Sequence, residues 1–190
     1  METLRAHIEQ QVSFTAADWD ILQPYLKRRT YLKRQYLLQA GDVCQYESFI
    51  VRGCMRAFQV DARGHEAVLQ FGIENWWIAD LNSYLTGEPA RFHVEVLEDS
   101  EVIQIDRTDL ETIYTRIPVL ESYFRRLFQK GFAAAQLRLI DMITHSALDR
   151  YQQFLRQYPT LSQRIPQRHI AAYLGITPEH LSKIRQQLRS

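Results

Sequence analysis

The side chains best placed to do chemistry lie in the stretch 164–189, RIPQRHIAAYLGITPEHLSKIRQQLR. Glu179, His180, Ser182, Lys183, Arg185 and Gln186 fall on one side of a short helix. Leu181, Ile184 and Leu188 occupy the other side at i, i+3 and i+7. Cationic and hydrogen-bonding groups on one rigid face suit phosphates and base edges. A preceding helix must set the pose of that face. Gln167–Leu174 supplies it, with Ile170, Ala171 and Leu174 along one side. Gly175 stops this helix, because glycine takes the left-handed conformation that a helix end requires. Thr177 is a good N-cap, and Pro178 suits the first helical position because it has no N–H to leave unpaired. Two short helices around one tight turn form a helix-turn-helix, whose second helix enters the DNA major groove.

An ordinary helical hairpin with a solvated polar face would show the same pattern, and charge separates the two. Residues 150–190 hold seven basic side chains (Arg150, Arg156, Arg164, Arg168, Lys183, Arg185, Arg189) against one acidic, Glu179, a net of +6. The whole chain is only +1, so residues 1–149 carry −5. A basic end on an acidic body is the electrostatic footprint of phosphate binding.

The elements before this stretch must position it. With 190 residues, 46% of them hydrophobic and 24% charged, the chain can build one large or two small domains. No apolar run approaches the ~18 residues that cross a membrane. The opening METLRAHIEQQ is polar rather than a secretory signal, so a cytoplasmic protein is expected. Cys44 and Cys54 lack CxxC spacing and would stay reduced there. The histidines are scattered without zinc spacing, so no metal is expected. His65-Glu66 and His93 offer no HxH motif to a cupin-like enzyme, and the chain is read as a non-enzyme.

Residues 1–27 read as helical, with Thr15-Ala-Ala-Asp18 as a capping box before the stripe Trp19, Leu22, Leu26. From Arg29 to Ile105 the apolar period falls to about 2. Strands are expected at 29–33, 35–38, 47–52, 54–60, 66–72, 93–96 and 100–105. Turn signals separate them at Ala40-Gly41-Asp42, Arg52-Gly53, Asp61–Gly64 and Gly87-Glu-Pro89. Many short, evenly spaced strands argue for an antiparallel sandwich or jelly roll. Asn75–Leu85 interrupts them with a helical stripe, and a helix inserted into a roll makes a pocket or plugs an open side.

Helix resumes at Thr108–Thr115. Pro118 opens a long one reaching His145, with Leu120, Phe124, Leu127, Phe128, Gly131, Phe132, Ala135, Leu139, Met142 and Ile143 along its apolar side. Gly131 and Ala133–Ala135 are small enough for a second helix to approach closely, so a dimerisation helix is expected. A further helix spans Ser146–Tyr158, and residues 159–165 link it to the helix-turn-helix. The fold class is α+β. A β-roll sensor domain covers 1–117, the dimerisation helix 118–145 and the helix-turn-helix domain 146–190.

This order of elements resembles the cyclic-AMP receptor/FNR (Crp/Fnr) superfamily of bacterial transcription regulators. Three motifs carry the resemblance. They are Gln39-Ala40-Gly41-Asp42, the run Val96-Leu-Glu-Asp-Ser-Glu-Val102 that closes the roll, and Gly175-Ile-Thr-Pro-Glu-His-Leu-Ser-Lys-Ile184. The resemblance implies a jelly-roll, cyclic-nucleotide-binding-like domain. It also implies a homodimer along the long helix, double-stranded DNA with two half-sites, and RNA polymerase as a further partner. Pro178, Glu179 and Lys183 fall where the family reads bases. Glu179 would accept from cytosine and Lys183 would donate to guanine. The family often has arginine where Pro178 stands, so the half-site is expected to differ there. Gln167, Arg168 and Thr177 would hold phosphates, alongside His180, Ser182 and Arg185 on the DNA-facing side.

Two departures shape the expectation. The sequence ends at Ser190, about where the recognition helix ends, without the family's following β-hairpin wing. The resemblance also places the ligand cassette on Trp77, Ala79, Asp80, Leu81, Ala90, Arg91 and Phe92. There the family's Gly-Glu-Leu is replaced by Ala79-Asp80-Leu81, and Ala90-Arg91 stands for its Arg-Ser. A one-residue slip to use Arg91 would turn its side chain to the other face of a strand. Gly131–Ala135 offers no hydroxyl to an adenine edge. Cyclic AMP is therefore not the expected ligand. Another small effector, with Trp76, Trp77, Tyr84 and Phe92 as apolar lining, and an empty pocket both remain open. The rival reading is a sensor whose C-terminal helices bind a protein instead of DNA.

Overall fold

A computed structural model of the chain describes residues 1–188. The contacts group it into two compact units, residues 1–57 with 71–130 and residues 58–70 with 131–190.

The first unit opens with α1 (Glu2–Glu9) and α2 (Ala16–Leu22). The expected capping box is present. The Thr15 hydroxyl accepts the Asp18 N–H at 3.1 Å, and the Asp18 carboxylate accepts the Thr15 N–H at 2.9 Å. Two four-stranded sheets follow. One has β1 (Leu26–Tyr31), β8 (Ser100–Asp106), β3 (Tyr46–Arg52) and β6 (Trp77–Ile78) in the order β1-β8-β3-β6. The other has β2 (Tyr36–Leu38), β7 (His93–Val96), β4 (Met55–Val60) and β5 (Glu66–Gly72) in the order β2-β7-β4-β5.

The central strands β3 and β8 of the first sheet are buried on both faces, whereas β1 is exposed over Arg28, Arg29 and Thr30. Ile50 and Val102 join the interior of the roll with Leu38, Met55, Val94 and Val96. Their neighbours Phe49, Ile103 and Ile105 join the opposite cluster with Leu4, Ile8, Trp19, Ile113, Leu120 and Phe124.

Three expectations are corrected. β1 begins at Leu26 rather than Arg29 and pairs Leu26 with Ile105. The helix expected over 75–85 is split. Asn75 turns the chain at φ 68°, and Trp77 and Ile78 then pair with Phe49 and Ser48 as β6. Only Leu81–Thr86 is helical, as α3. The i, i+4 stripe of Trp77 and Leu81 was misleading because Trp77 and Ile78 bury themselves on opposite faces, as a strand requires. The linker 159–165 contains a short helix, which is numbered α7 below.

α4 (Leu110–Arg116) follows a single 3₁₀ turn at Arg107–Asp109, capped by the Asp106 carboxylate, which accepts the Thr108 N–H and hydroxyl. α5 (Pro118–Thr144) runs through both units. In the second unit α6 (Ala147–Gln157) starts at a Ser146/Asp149 capping box and is followed by α7 (Leu161–Arg164). α8 (Gln167–Leu174) and α9 (Pro178–Gln187) complete the chain. Tyr151, Phe154, Leu161, Ile165, Ile170, Leu174, Leu181 and Ile184 are buried. Leu188, expected on the buried side of α9, is 43% exposed at the C-cap of that helix.

Candidate nucleic-acid interface and ligand cassette

The helix-turn-helix is built from local signals. α8 ends at Gly175, whose φ of 67° is left-handed, and the Gly175 and Ile176 N–H groups both return to the Ala171 carbonyl. Thr177 then caps α9: its hydroxyl oxygen accepts the His180 N–H at 3.2 Å, and Pro178 occupies the first helical position. Leu181 and Ile184 anchor the inner side of α9.

The outer side carries Pro178, Glu179, His180, Ser182 and Lys183, all exposed, while Arg185 is half-buried. Arg185 lies back in a shallow cleft with Tyr151, Leu155 and Leu188. Glu179 is held below the usual carboxylate range, first by its own backbone N–H at the helix start and then by the Thr177 hydroxyl. It is thus charged and curled onto the cap. Arg168 is exposed on α8, whereas Gln167 is half-buried with its side-chain oxygen unpartnered. Arg189 lies outside the described residues.

Sequence reasoning missed how the turn is held from behind. The last carbonyls of α8 have no intrahelical donor. Arg138 of α5 donates to the Tyr173 carbonyl at 3.0 Å, and Arg150 of α6 donates to the Leu174 carbonyl at 3.0 Å and to His145 at 2.7 Å. The Arg138 guanidinium also sits 3.9 Å over the Tyr173 ring. Neither arginine stands in a motif, so its spacing gave no signal.

The cassette residues are brought together around α3, but not as an anion seat. Asp80, 4% exposed, caps α3 by accepting the Ser83 N–H at 3.1 Å, and its other oxygen accepts the Arg91 N–H at 3.1 Å. Both oxygens of the carboxylate are therefore engaged by the cassette's own backbone. Ala90 is buried in the roll interior with Phe92 packed against it, while Arg91 is exposed. Leu81 is 40% exposed, and Ala79 is partly buried against the roll interior. Trp77 faces away from that interior: it packs on Phe49 and Phe124 and donates to the Tyr123 hydroxyl at 2.7 Å. Tyr84 does lie inside the roll, and Trp76 is 39% exposed.

The chain combines two β-sheets forming a roll, a long helix and a helix-turn-helix with a polar outer face. Residues 28–116 match the family model of the cyclic nucleotide-binding domain. The chain is 24% identical over 173 residues to a cyclic AMP receptor protein of Thermus thermophilus, covering 89% of this chain and 80% of that one. Its fold is similar to that of FixK2 from Bradyrhizobium japonicum, with a TM-score of 0.76 at 18% identity over 86% of this chain and 84% of that one. It is also similar to the c-di-GMP responsive global regulator CLP of Xanthomonas campestris, with a TM-score of 0.71 at 13% identity over 92% of each chain. Residues 28–116 thus form a cyclic nucleotide-binding-like domain, and the fold of the chain is similar to those of these regulators.

Proposed function

We propose that this protein is a DNA-binding transcription regulator that acts as a homodimer, with α9 in the major groove. The observation that carries it is the exposed face of Glu179, His180, Ser182 and Lys183, mounted on buried Leu181 and Ile184 behind a capped turn. Lys183 is the principal base-reading cation, and Arg168 a phosphate contact. Glu179 must leave its cap to accept from a cytosine. The dimer forms along the second half of α5, where Phe132, Leu139 and Ile143 are 67%, 61% and 75% exposed.

The roll is a sensor whose effector is not cyclic AMP. Asp80 is already satisfied by two backbone N–H groups, and no arginine occupies the Ala90 position to neutralise a phosphate. No described helix is long and apolar enough to cross a membrane.

Selection from a random duplex library tests this reading. The expected product is a partly palindromic site with half-site centres about 10 bp apart, bound with a steep salt dependence that Lys183→Glu abolishes. Failure to enrich any sequence, or binding indifferent to Lys183→Glu, refutes it.

A further inference from the structure

The second compact unit contains more than helices. It includes residues 58–70, the outer part of the hairpin formed by β4 and β5. Its tip is ordered by Asp61, whose carboxylate accepts the Arg63 N–H at 2.8 Å and the His65 N–H at 2.9 Å. The Asp61 N–H closes the same turn on the His65 carbonyl at 2.9 Å.

Arg138 joins this hairpin to the helix-turn-helix. Its guanidinium donates to the β5 carbonyls of Val68, at 2.9 Å, and Leu69, and also to Tyr173 at the end of α8. Glu66 at the start of β5 stands 3.8 Å from the ring of His169, a buried residue of α8. The hairpin thus meets α8 at two points. Arginine suits the first because its planar fork carries five donors that one cation can share among several acceptors. The acceptors are interdependent. The charge is largely removed from water, so withdrawing the hairpin would leave a desolvated cation short of partners and the α8 terminus under-bonded.

We propose that Arg138 is a positioning residue for DNA recognition: it locks the β4–β5 hairpin to the C-terminal end of α8, so the hairpin sets the pose of α9. The strands that carry the clasp are also strands of the roll's second sheet. A change in hairpin order therefore reaches the recognition helix through Arg138, beside the second contact of Glu66 with His169. This rests on the DNA-binding reading above, and one arm of the test is independent of it.

In that arm, amide hydrogen exchange is measured on DNA-free protein. Arg138→Gln is expected to speed exchange at least tenfold both at Asp61 in the tip and at Gly175 and Ile176 in the turn. Acceleration at one end only, or at neither, overturns the clasp. The second arm is a double-mutant cycle on DNA affinity with Asp61→Ala, which loosens the tip, and Arg138→Gln. Asp61→Ala is expected to change the dissociation constant at least threefold in the Arg138 background and to add nothing in Arg138→Gln. Effects that multiply, or no effect of Asp61→Ala, overturn the coupling. The slope of log affinity against log salt is expected to be unchanged in Arg138→Gln, whereas a lost phosphate contact would lower it by about 0.9. Arg138→Lys, which keeps the charge without the fork, is expected to behave as Arg138→Gln; full rescue by lysine overturns the assignment. If wild-type protein enriches no duplex, the DNA-binding reading falls and the exchange arm still decides the clasp.

Discussion

Replacing Glu47 by glutamine should stabilise the protein, and by an amount that depends steeply on pH. Glu47 is a carboxyl on β3, 3% exposed, and its Oε2 has no hydrogen-bond partner among the described residues. Burial pushes its pKa up from 4.5 to about 8. The same carboxyl raises the hydroxyl pKa values of Tyr84 and Tyr114, second to their own burial. Between pH 4.5 and about 8 the native state holds a proton that the unfolded chain has released. Stability is therefore fully present below pH 4.5 and falls as pH rises, by about 1.4 kcal/mol per pH unit, until the native carboxyl ionises near pH 8. The full loss is about 5 kcal/mol, a large fraction of the roughly 5–15 kcal/mol that holds a domain folded.

Glutamine keeps the shape and cannot ionise, so Glu47→Gln removes this pH-dependent loss. Urea unfolding of both proteins at equal protomer concentration, from pH 4.5 to 8.5, gives the difference directly. Working as a difference cancels the opposing contribution of carboxylates with lowered pKa, such as Asp61, Glu101, Asp106 and Asp149. The variant's advantage should grow from pH 5 to pH 8 by several kcal/mol and then level off. A difference that stays flat across that range would refute the claim that Glu47 is protonated in the folded protein.

Three further outcomes follow from the geometry. Leu139→Glu with Ile143→Glu should convert the protein to monomer in sedimentation velocity while leaving its thermal unfolding little changed, since both side chains are exposed within the chain. Gly175→Ala forces a side chain into a backbone at φ 67°, with the Met142 methyl 2.8 Å from the added carbon. It should cost about 1 kcal/mol or more in urea unfolding and weaken DNA binding. Ala90→Arg should not confer cyclic AMP binding in isothermal titration, because Ala90 is packed in the roll interior and Asp80 still holds the cassette amides; the overpacked core should lose about 1–3 kcal/mol.

What the sequence makes legible is what short-range chemistry decides. Gly175, Thr177 and Pro178 specify their turn within a few residues, so α8 and the start of α9 fall where the pattern puts them. β5 and β7 span the residues expected of them, β7 with alternating burial, and the glycines at 41, 53, 64 and 87 all adopt the positive φ that their turns need. The illegible parts depend on distant partners. β6 is a strand because Ser48 and Phe49 pair with it, and nothing within Asn75–Leu85 announces that pairing. Glu47 reads as an ordinary polar residue of a strand until packing buries it. Arg138 sits among apolar neighbours on a long helix, and its acceptors lie about 70 and 35 residues away in sequence.

The same distinction governs α5. Its apolar stripe is continuous in sequence, yet the helix is used in two ways. Leu120, Tyr123 and Phe124 are buried in the cluster beneath the first sheet, with Leu127 and Phe128 packed against it. From Phe132 onward the stripe is bare, and Phe132, Leu139, Ile140 and Ile143 remain on the surface. A periodic apolar pattern says that a face seeks burial but not what will bury it. The first half is answered within the chain. The second half presents large apolar side chains at i, i+7, i+8 and i+11, the spacing of a helix that meets another helix. A second copy supplies an identical stripe, and a parallel pair along this half would carry two α9 helices, matching the twofold symmetry of a palindromic site. On the proposed function, recognition by α9 and association by α5 would be one requirement: a single helix-turn-helix has few base contacts, and pairing the exposed half of α5 would double them.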